Sequence, residues 1–358
     1  MNIFIVVMLI FAFIGFIDKT LHLRWGLASV FDKGLLTMGS MAVSIIGIYC
    51  VSLTFIQQHI QLLENLNHYL FFDSSILIGA LLAPDMGGYP ISSQIAQSTE
   101  MIVFSGVLLS STLGQTISFQ LSVFLSFLEE KDIDILMKGF IVGIIVIPAG
   151  LLCVFPFFQF SVFTFVINLL PIFIICALIA FAIIKVPQQT VKMLSILANM
   201  IKTLSYILFL IVVLGLYFPS IQYVQLSLVE ESLVMVLKMI IIVCGSMVLS
   251  ELILKYGSRP IQYLAHKLGV NNESVIGFVL NCASSLAMLP LYSQMNTKGK
   301  LMNAAFSVSG AYVFGGQLGF ISGVSHESVT VYVFAKILCG ILSILIIQIG
   351  YKKMAISE

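Results

Sequence analysis

The feature that most constrains this chain is a succession of apolar stretches about 20 residues long, the helix length that spans the roughly 30 Å hydrocarbon core of a bilayer. They fall at 35–56, 101–125, 136–158, 161–184, 204–218, 233–254, 301–324 and 329–350, with a shorter one at 2–17. Strands of a membrane barrel alternate apolar and polar residues over about ten positions, and these stretches do not. Hydrophobic residues make up 59% of the chain and charged residues 9%, against about one half and one quarter in a soluble domain. Mean hydropathy is +1.10. The expected fold class is therefore all-α and polytopic, a single transmembrane domain over 1–358 whose partner is membrane lipid.

Several function classes drop out. A net charge of +1 gives no argument for nucleic acid. The six cysteines lie inside apolar stretches without CxxC spacing, which favours small-hydrophobe packing over disulfides or metal sites. No zinc-protease, nucleophile-elbow, phosphate-loop or dinucleotide motif is present, so no catalytic residue, metal or cofactor is expected. The 2–17 stretch lacks a preceding basic residue and a small-x-small site, and reads as an uncleaved helix.

Basic residues mark cytoplasmic loops, which tests any count of crossings. The clusters are Lys19, Arg24 and Lys33; Lys185 and Lys192; Lys255, Arg259 and Lys267; Lys298 and Lys300; and Lys352 and Lys353. If every apolar segment crosses, the clusters fall on both sides of the membrane. If 74–96 and 273–295 instead dip in and return, all are cytoplasmic, and the outer loops 57–73, 218–231 and 325–328 carry no lysine or arginine. The expectation is about nine crossings and two re-entrant hairpins, with the N-terminus external and the C-terminus cytoplasmic.

The two dipping segments resemble each other. Leu66, His68, Ile78, Gly79 and Leu82 align with Leu264, His266, Ile276, Gly277 and Leu280, and Ser93 and Gln94 with Ser293 and Gln294. Gly114 and Gln115 align with Gly316 and Gln317 after a small drift. Five crossings separate the hairpins, so repeat 1 (about 35–157) and repeat 2 (about 233–351) are expected to be oppositely oriented. That is the plan of many secondary transporters, which bind solute near the midplane between broken segments.

The first break, 79–90, holds Pro84, Asp85, Gly87, Gly88, Tyr89 and Pro90. Asp85 is the one carboxylate in the middle of an expected intramembrane stretch, where it costs about 2.5–3.5 kcal/mol unless it is paired or titrates. It reads as the counter-ion of a cationic solute, or as half of an internal salt bridge to Lys336, or as a cap beside Gly87. Gly87 and Gly88 loosen the backbone at the break, and Tyr89 is a cation-π candidate. Ser92, Ser93 and Gln94 offer hydroxyls and an amide to a solute, or small-residue packing. The second break supplies Asn281, Ser284 and Ser285, a neutral half-site or a serine-mediated helix contact. Gln115 and Gln317 are candidate lining amides. Lys336, about eight residues into the last stretch, is a charge partner of Asp85 or stands in for a coupling cation.

The motifs Leu-Leu-Ala-Pro-Asp-Met-Gly-Gly (81–88), Gln-Met-Asn-Thr-Lys-Gly-Lys (294–300), Ala-Ala-Phe-Ser-Val-Ser (304–309) and Gln-Leu-Gly-Phe (317–320) resemble those of the ethanolamine permease family of ethanolamine-utilisation systems. The resemblance extends through most of the chain, including Asn168 and Pro171. Ser284 and Ser285 replace adjacent asparagines of the family pattern, and an acid near Gly316 is absent. The resemblance implies uptake of ethanolamine, a small cationic solute, across the bacterial inner membrane by alternating access. A related amino alcohol or amine, or a channel-like facilitator, is the alternative. Proton or sodium coupling and a homo-oligomeric state stay open.

Overall fold

The computed structural model describes residues 2–58 and 69–351. Leu66, His68, Lys352 and Lys353, used in the repeat and topology arguments, lie outside them. Every regular element among the described residues is helical. In chain order these are α1 (Ile3–Leu21), α2 (Ala28–Leu36) continuing into α3 (Met38–Gln58), and a hairpin of α4 (Ser75–Leu81) and α5 (Gly88–Ile95). The long helices α6 (Thr99–Phe127), α7 (Glu130–Cys153), α8 (Val162–Lys185), α9 (Pro187–Tyr217) and α10 (Leu226–Tyr256) follow. The amphipathic α11 (Ser258–Leu268) then leads into a second hairpin, α12 (Asn272–Ala283) and α13 (Ser285–Tyr292), and the chain ends with α14 (Thr297–Ser309), α15 (Gly316–Val324) and α16 (Val329–Gly350).

Among the described residues eight helices are long and apolar enough to cross a bilayer: α1, α2–α3, α6 to α10 and α16. The ninth expected crossing, 301–324, is present as two half-helices, α14 and α15, separated at Gly310–Gly315. The helix expected at 204–218 starts earlier, at Pro187, whose missing N–H is harmless in a first helical turn.

Each hairpin is closed at its base by one polar side chain. Asp73 accepts hydrogen bonds from Ser75 N (3.0 Å) and Oγ (2.6 Å) and from Gln97 N (2.7 Å), so the start of α4 and the end of α5 meet. The Asp73 amide donates to Asn168 Oδ1 at 2.8 Å, which moors this base to α8. In the second hairpin Asn271 Nδ2 donates to Gln294 O (2.8 Å) and its Oδ1 accepts from Asn296 N (3.2 Å). Each first arm is also tied to the following helix: Ser105 Oγ donates to Ser75 Oγ (2.7 Å), and Asn303 Nδ2 to Ser274 O (2.9 Å). A buried polar group in lipid must find its partner within the protein, and these bonds do that at corresponding places in both halves.

Interhelical contact in lipid gains little from the hydrophobic effect and relies on close van der Waals approach. Gly139 and Gly143 of α7, one turn apart, face Leu301 O, Ala304 and Ala305 of α14. The same seam carries the Lys300–Asp132 ion pair (2.6 Å), whose side chains are only 12% and 3% exposed. By contrast α8 and α9 leave Phe163, Leu178, Met193 and Met200 exposed, as lipid-facing helices do. A methyl group at Gly143 would lie 2.6 Å from Ala305 O and from Val308 Cβ, whereas Gly39 has open space around it. Gly143→Ala is therefore expected to lower stability by about 1–3 kcal/mol, seen as a reduced melting temperature of the detergent-solubilised protein. Gly39→Ala should not lower it; equal effects at both sites would refute the close α7–α14 seam.

Candidate solute-binding site

The site forms where the two broken hairpins meet the two helices that follow them. In the first break Ala83 is extended, Pro84–Met86 makes a single 3-10 turn, and Gly87 takes φ +103°, a left-handed conformation that favours glycine. Ala83 N donates to Ser118 Oγ (3.1 Å), and Ala83 O accepts from Met86 N (3.0 Å) and Gly88 N (2.9 Å). The turn is thereby held against α6. A Cβ on Gly88 would lie 2.8 Å from that of Ser110, and one on Gly114 would collide with Leu82 O, so α6 approaches the tip almost backbone to backbone. Asp85, at the centre of the turn, is partly exposed and belongs to none of the ion pairs among the described residues.

The helices flanking these tips are themselves irregular. In α6 the run Ile102–Gly114 and the run Thr116–Gln120 are wound as π-helix, with i→i+5 bonding. In the second half the corresponding helix breaks outright. Tyr312 there has φ +62°, and the freed amides of Tyr312 and Phe314 donate to Asn281 O and Cys282 O, each at 2.9 Å. The last carbonyls of α12 are thus satisfied by backbone from the α14–α15 break. A Cβ on Gly315 would overlap Ala283 O, which explains the glycine.

Tyr312 is the hub of the second break. Ser285 Oγ donates to its hydroxyl at 2.7 Å, and Tyr332 OH donates to its carbonyl at 2.8 Å. Both tyrosines lie within Coulombic reach of Asp85, so charge from the first break and aromatic and hydroxyl groups from the second share one region. Gln317 Nε2 donates to Gln115 Oε1 at 2.7 Å, and Gln115 Nε2 in turn to Gln120 Oε1. Tyr332 OH stands 3.4 Å from Gln317 Oε1, extending this polar chain from α6 across to α16.

The sequence-derived residues divide accordingly. Asp85, Gly87, Gly88, Gln115, Gln317, Ser284 and Ser285 lie at the breaks or on the amide chain between the halves. Asn281 is buried with Nδ2 donating to Asn303 Oδ1 (3.2 Å), while its Oδ1 has no partner among the described residues. Ser92 is fully buried, its hydroxyl likewise unpartnered among them. Ser93 Oγ donates to Pro90 O in its own helix, and Gln94 Nε2 reaches only Ser93 at 3.4 Å, so neither joins the central cluster through its hydrogen bonds. Tyr89 OH donates to Val324 O (3.2 Å) with its ring edge-on to Phe320, which engages it with α15.

The internal ion pair between Lys336 and Asp85, one of the alternatives for the aspartate, is not among the ion pairs of the described residues. Lys336 Nζ donates to Ser111 O (2.6 Å), because α16 lies against the π-wound part of α6 and presents the ammonium to that carbonyl. Tyr312, Tyr332, Gln120 and Asn303 were not among the sequence-derived residues. Tyr312 was visible as a tyrosine enclosed by Gly310, Gly315 and Gly316, a composition that signals a break. Tyr332 and Asn303 sit in otherwise regular helices and carried no such signal.

These features define a multi-pass helical membrane protein of the permease class, with a polar centre built from two broken hairpins. The chain belongs to the family of the ethanolamine utilisation protein EutH, which matches residues 1–349. It is 28% identical over 350 residues to the probable ethanolamine permease EutH of Listeria monocytogenes, covering 96% of this chain and 92% of the relative. It is 27% identical to the uncharacterized protein YxeR of Bacillus subtilis, over 94% and 91% of the two chains. Its identity to the probable ethanolamine permease EutH of Salmonella typhimurium is 24%, over 93% and 86%. No solved structure matches the chain. The chain is thus a membrane transporter.

The Gln115–Gln317 bond makes a measurable coupling. Removing either amide leaves the other with an unpaired buried group, at about 1–3 kcal/mol. Gln115→Leu and Gln317→Leu are each expected to destabilise the solubilised protein, and the double variant to cost less than their sum by about 1 kcal/mol or more. Strict additivity in thermal unfolding would show that the two amides do not meet.

Proposed function

We propose that this protein carries a small cationic amine, ethanolamine, across the bacterial plasma membrane by alternating access, with Asp85 as the counter-ion of the solute ammonium. The observation that carries this reading is Asp85 itself: a carboxylate at the tip of a broken hairpin, without an ion-pair partner among the described residues and within Coulombic reach of Tyr312 and Tyr332. A charge in such a place is costly and calls for a cation. The neighbouring tyrosines are candidates for cation-π attraction, and Ser284, Ser285 and the amides offer hydrogen bonds to the rest of the solute. The name shared by two of the relatives, probable ethanolamine permease, fits a site of this charge.

Movement follows from the architecture in this reading. Five long helices, α6 to α10, separate the two base-closed hairpins, so the hairpins enter from opposite faces, with the N-terminus outside and the C-terminus in the cytoplasm. The solute sits between them, and rocking of one half against the other at the α7–α14 seam exposes it to each side in turn. The site residues bind and release without chemical change of the solute.

The test is uptake of labelled ethanolamine into proteoliposomes, with pH and sodium varied and with choline, propanolamine and alanine as competitors. Asp85→Asn keeps the shape and removes the charge. It is expected to weaken ethanolamine affinity about 10- to 100-fold, the value of a hydrogen bond to a charged group, while the protein still elutes as a folded species. Near-normal affinity in Asp85→Asn would overturn the assignment, and absence of counterflow would replace the carrier with a channel.

A further inference from the structure

Among the described residues Asp85 is not the only charge at the centre without a countercharge. Lys336 on α16 is 0% exposed, ranks among the largest fully buried side chains, and belongs to none of the ion pairs among the described residues. Its ammonium has three donors, of which one is used, on Ser111 O at 2.6 Å. Snorkelling, which relieves most intramembrane lysines, is ruled out by this burial. Two features aim the group at the solute site. Lys336 lies one helical turn beyond Tyr332, whose hydroxyl is hydrogen-bonded to Tyr312 O. It is also within Coulombic reach of Cys282, in the second break, and Tyr332 is within reach of both Cys282 and Asp85. Lys336, one turn from Tyr332, and Asp85, within Coulombic reach of it, thus bring opposite charges from the two halves to the surroundings of one tyrosine.

We propose that Lys336 is a specificity-determining residue that donates a hydrogen bond to the oxygen of the solute, while Asp85 holds the ammonium. This rests on the site reading above and extends it from charge to polarity: a solute with an ammonium at one end and an acceptor oxygen at the other satisfies both poles. A plain alkylammonium satisfies only Asp85 and leaves the lysine donors unpaired, repelled by a cation with nothing to offer them.

The experiment compares ethanolamine with ethylamine, which has the same charge and lacks the oxygen, as competitors of labelled ethanolamine uptake by the full chain in proteoliposomes. Wild type is expected to prefer ethanolamine about 10- to 100-fold. In Lys336→Met the preference is expected to fall about five- to tenfold, because only the neutral serines and amides are left to address the oxygen. Replacing an unpaired buried charge with an apolar chain of similar length is tolerated by most cores, and elution as a single species checks this. Lys336→Gln, a neutral donor, is the second variant and should give an intermediate ratio. Equal acceptance of ethylamine by wild type overturns the proposal without any variant. An unchanged ratio in a folded Lys336 variant also overturns it, and reduces the lysine to a strut between α16 and α6. Asp85→Asn separates the two readings: loss of both solutes alike leaves the carrier site standing whatever the ratio shows, whereas retained affinity removes the site itself.

Discussion

Hydrocarbon offers no hydrogen bonds, and the rest of this structure follows from how the chain meets that constraint where its helices stop. A continuous helix satisfies its own backbone, but each hairpin tip and the α14–α15 break free several amides and carbonyls. The protein answers with short, specific bonds. Ser118 takes the amide of Ala83, the Tyr312 and Phe314 amides cap the end of α12, and Asp73 and Asn271 close the two hairpin bases. Close approach of backbone to backbone is then obligatory, which is why Gly79, Gly88, Gly114 and Gly315 stand where a side chain would collide with a neighbouring carbonyl or helix. The polar centre is a consequence: where irregular backbone lies deep in the protein, polar groups gather around it without facing lipid.

The two halves solve the same problem unequally. Asp73, Gly79 and Ser105 in the first correspond in position and role to Asn271, Gly277 and Asn303 in the second. Past that point they diverge. The helix after the first hairpin stays continuous by widening into π geometry, whereas its counterpart breaks, and Gln317 lies four residues further from Asn303 than Gln115 does from Ser105. The added length falls in the Gly310–Gly315 connection that delivers Tyr312. The hairpins differ in charge as well: the first tip carries an aspartate, the second only the hydroxyls of Ser284 and Ser285. A symmetric pair would present two like charges to each other, and electrostatics would push them apart.

Much of this was legible in the order of residues because lipid imposes simple rules. Segment length marked the long helices, and glycine and proline marked both breaks. Gln115 and Gln317 align in the sequence, since each follows a glycine, Gly114 and Gly316, a similar distance after its break. That the two amides bond to each other across the halves is a relation the alignment did not contain. Lys336 shows where such reasoning stops. Its depth in the last helix identified it as unusual, yet its partner is a carbonyl on α6 rather than Asp85, and which face of α16 meets which neighbour is a matter of packing. Tyr332 and Asn303 were silent for the same reason: a polar residue in a regular helix looks alike whether it lines a site or braces one.

By itself the sequence determined that this chain is a polytopic helical protein of lipid, where its helices must yield, and that an aspartate, Asp85, falls in the first of those breaks. Those properties are local, set by hydropathy over a helix length and by residues that cannot sustain regular backbone. The tertiary structure alone decided that Tyr332 bonds to the Tyr312 carbonyl, that the two glutamines bond, that Asp73 and Asn271 close the hairpins, and that the lysine is left without a countercharge among the described residues. Those are relations between groups far apart in the chain, fixed only when close helix packing chooses which sides of the helices touch.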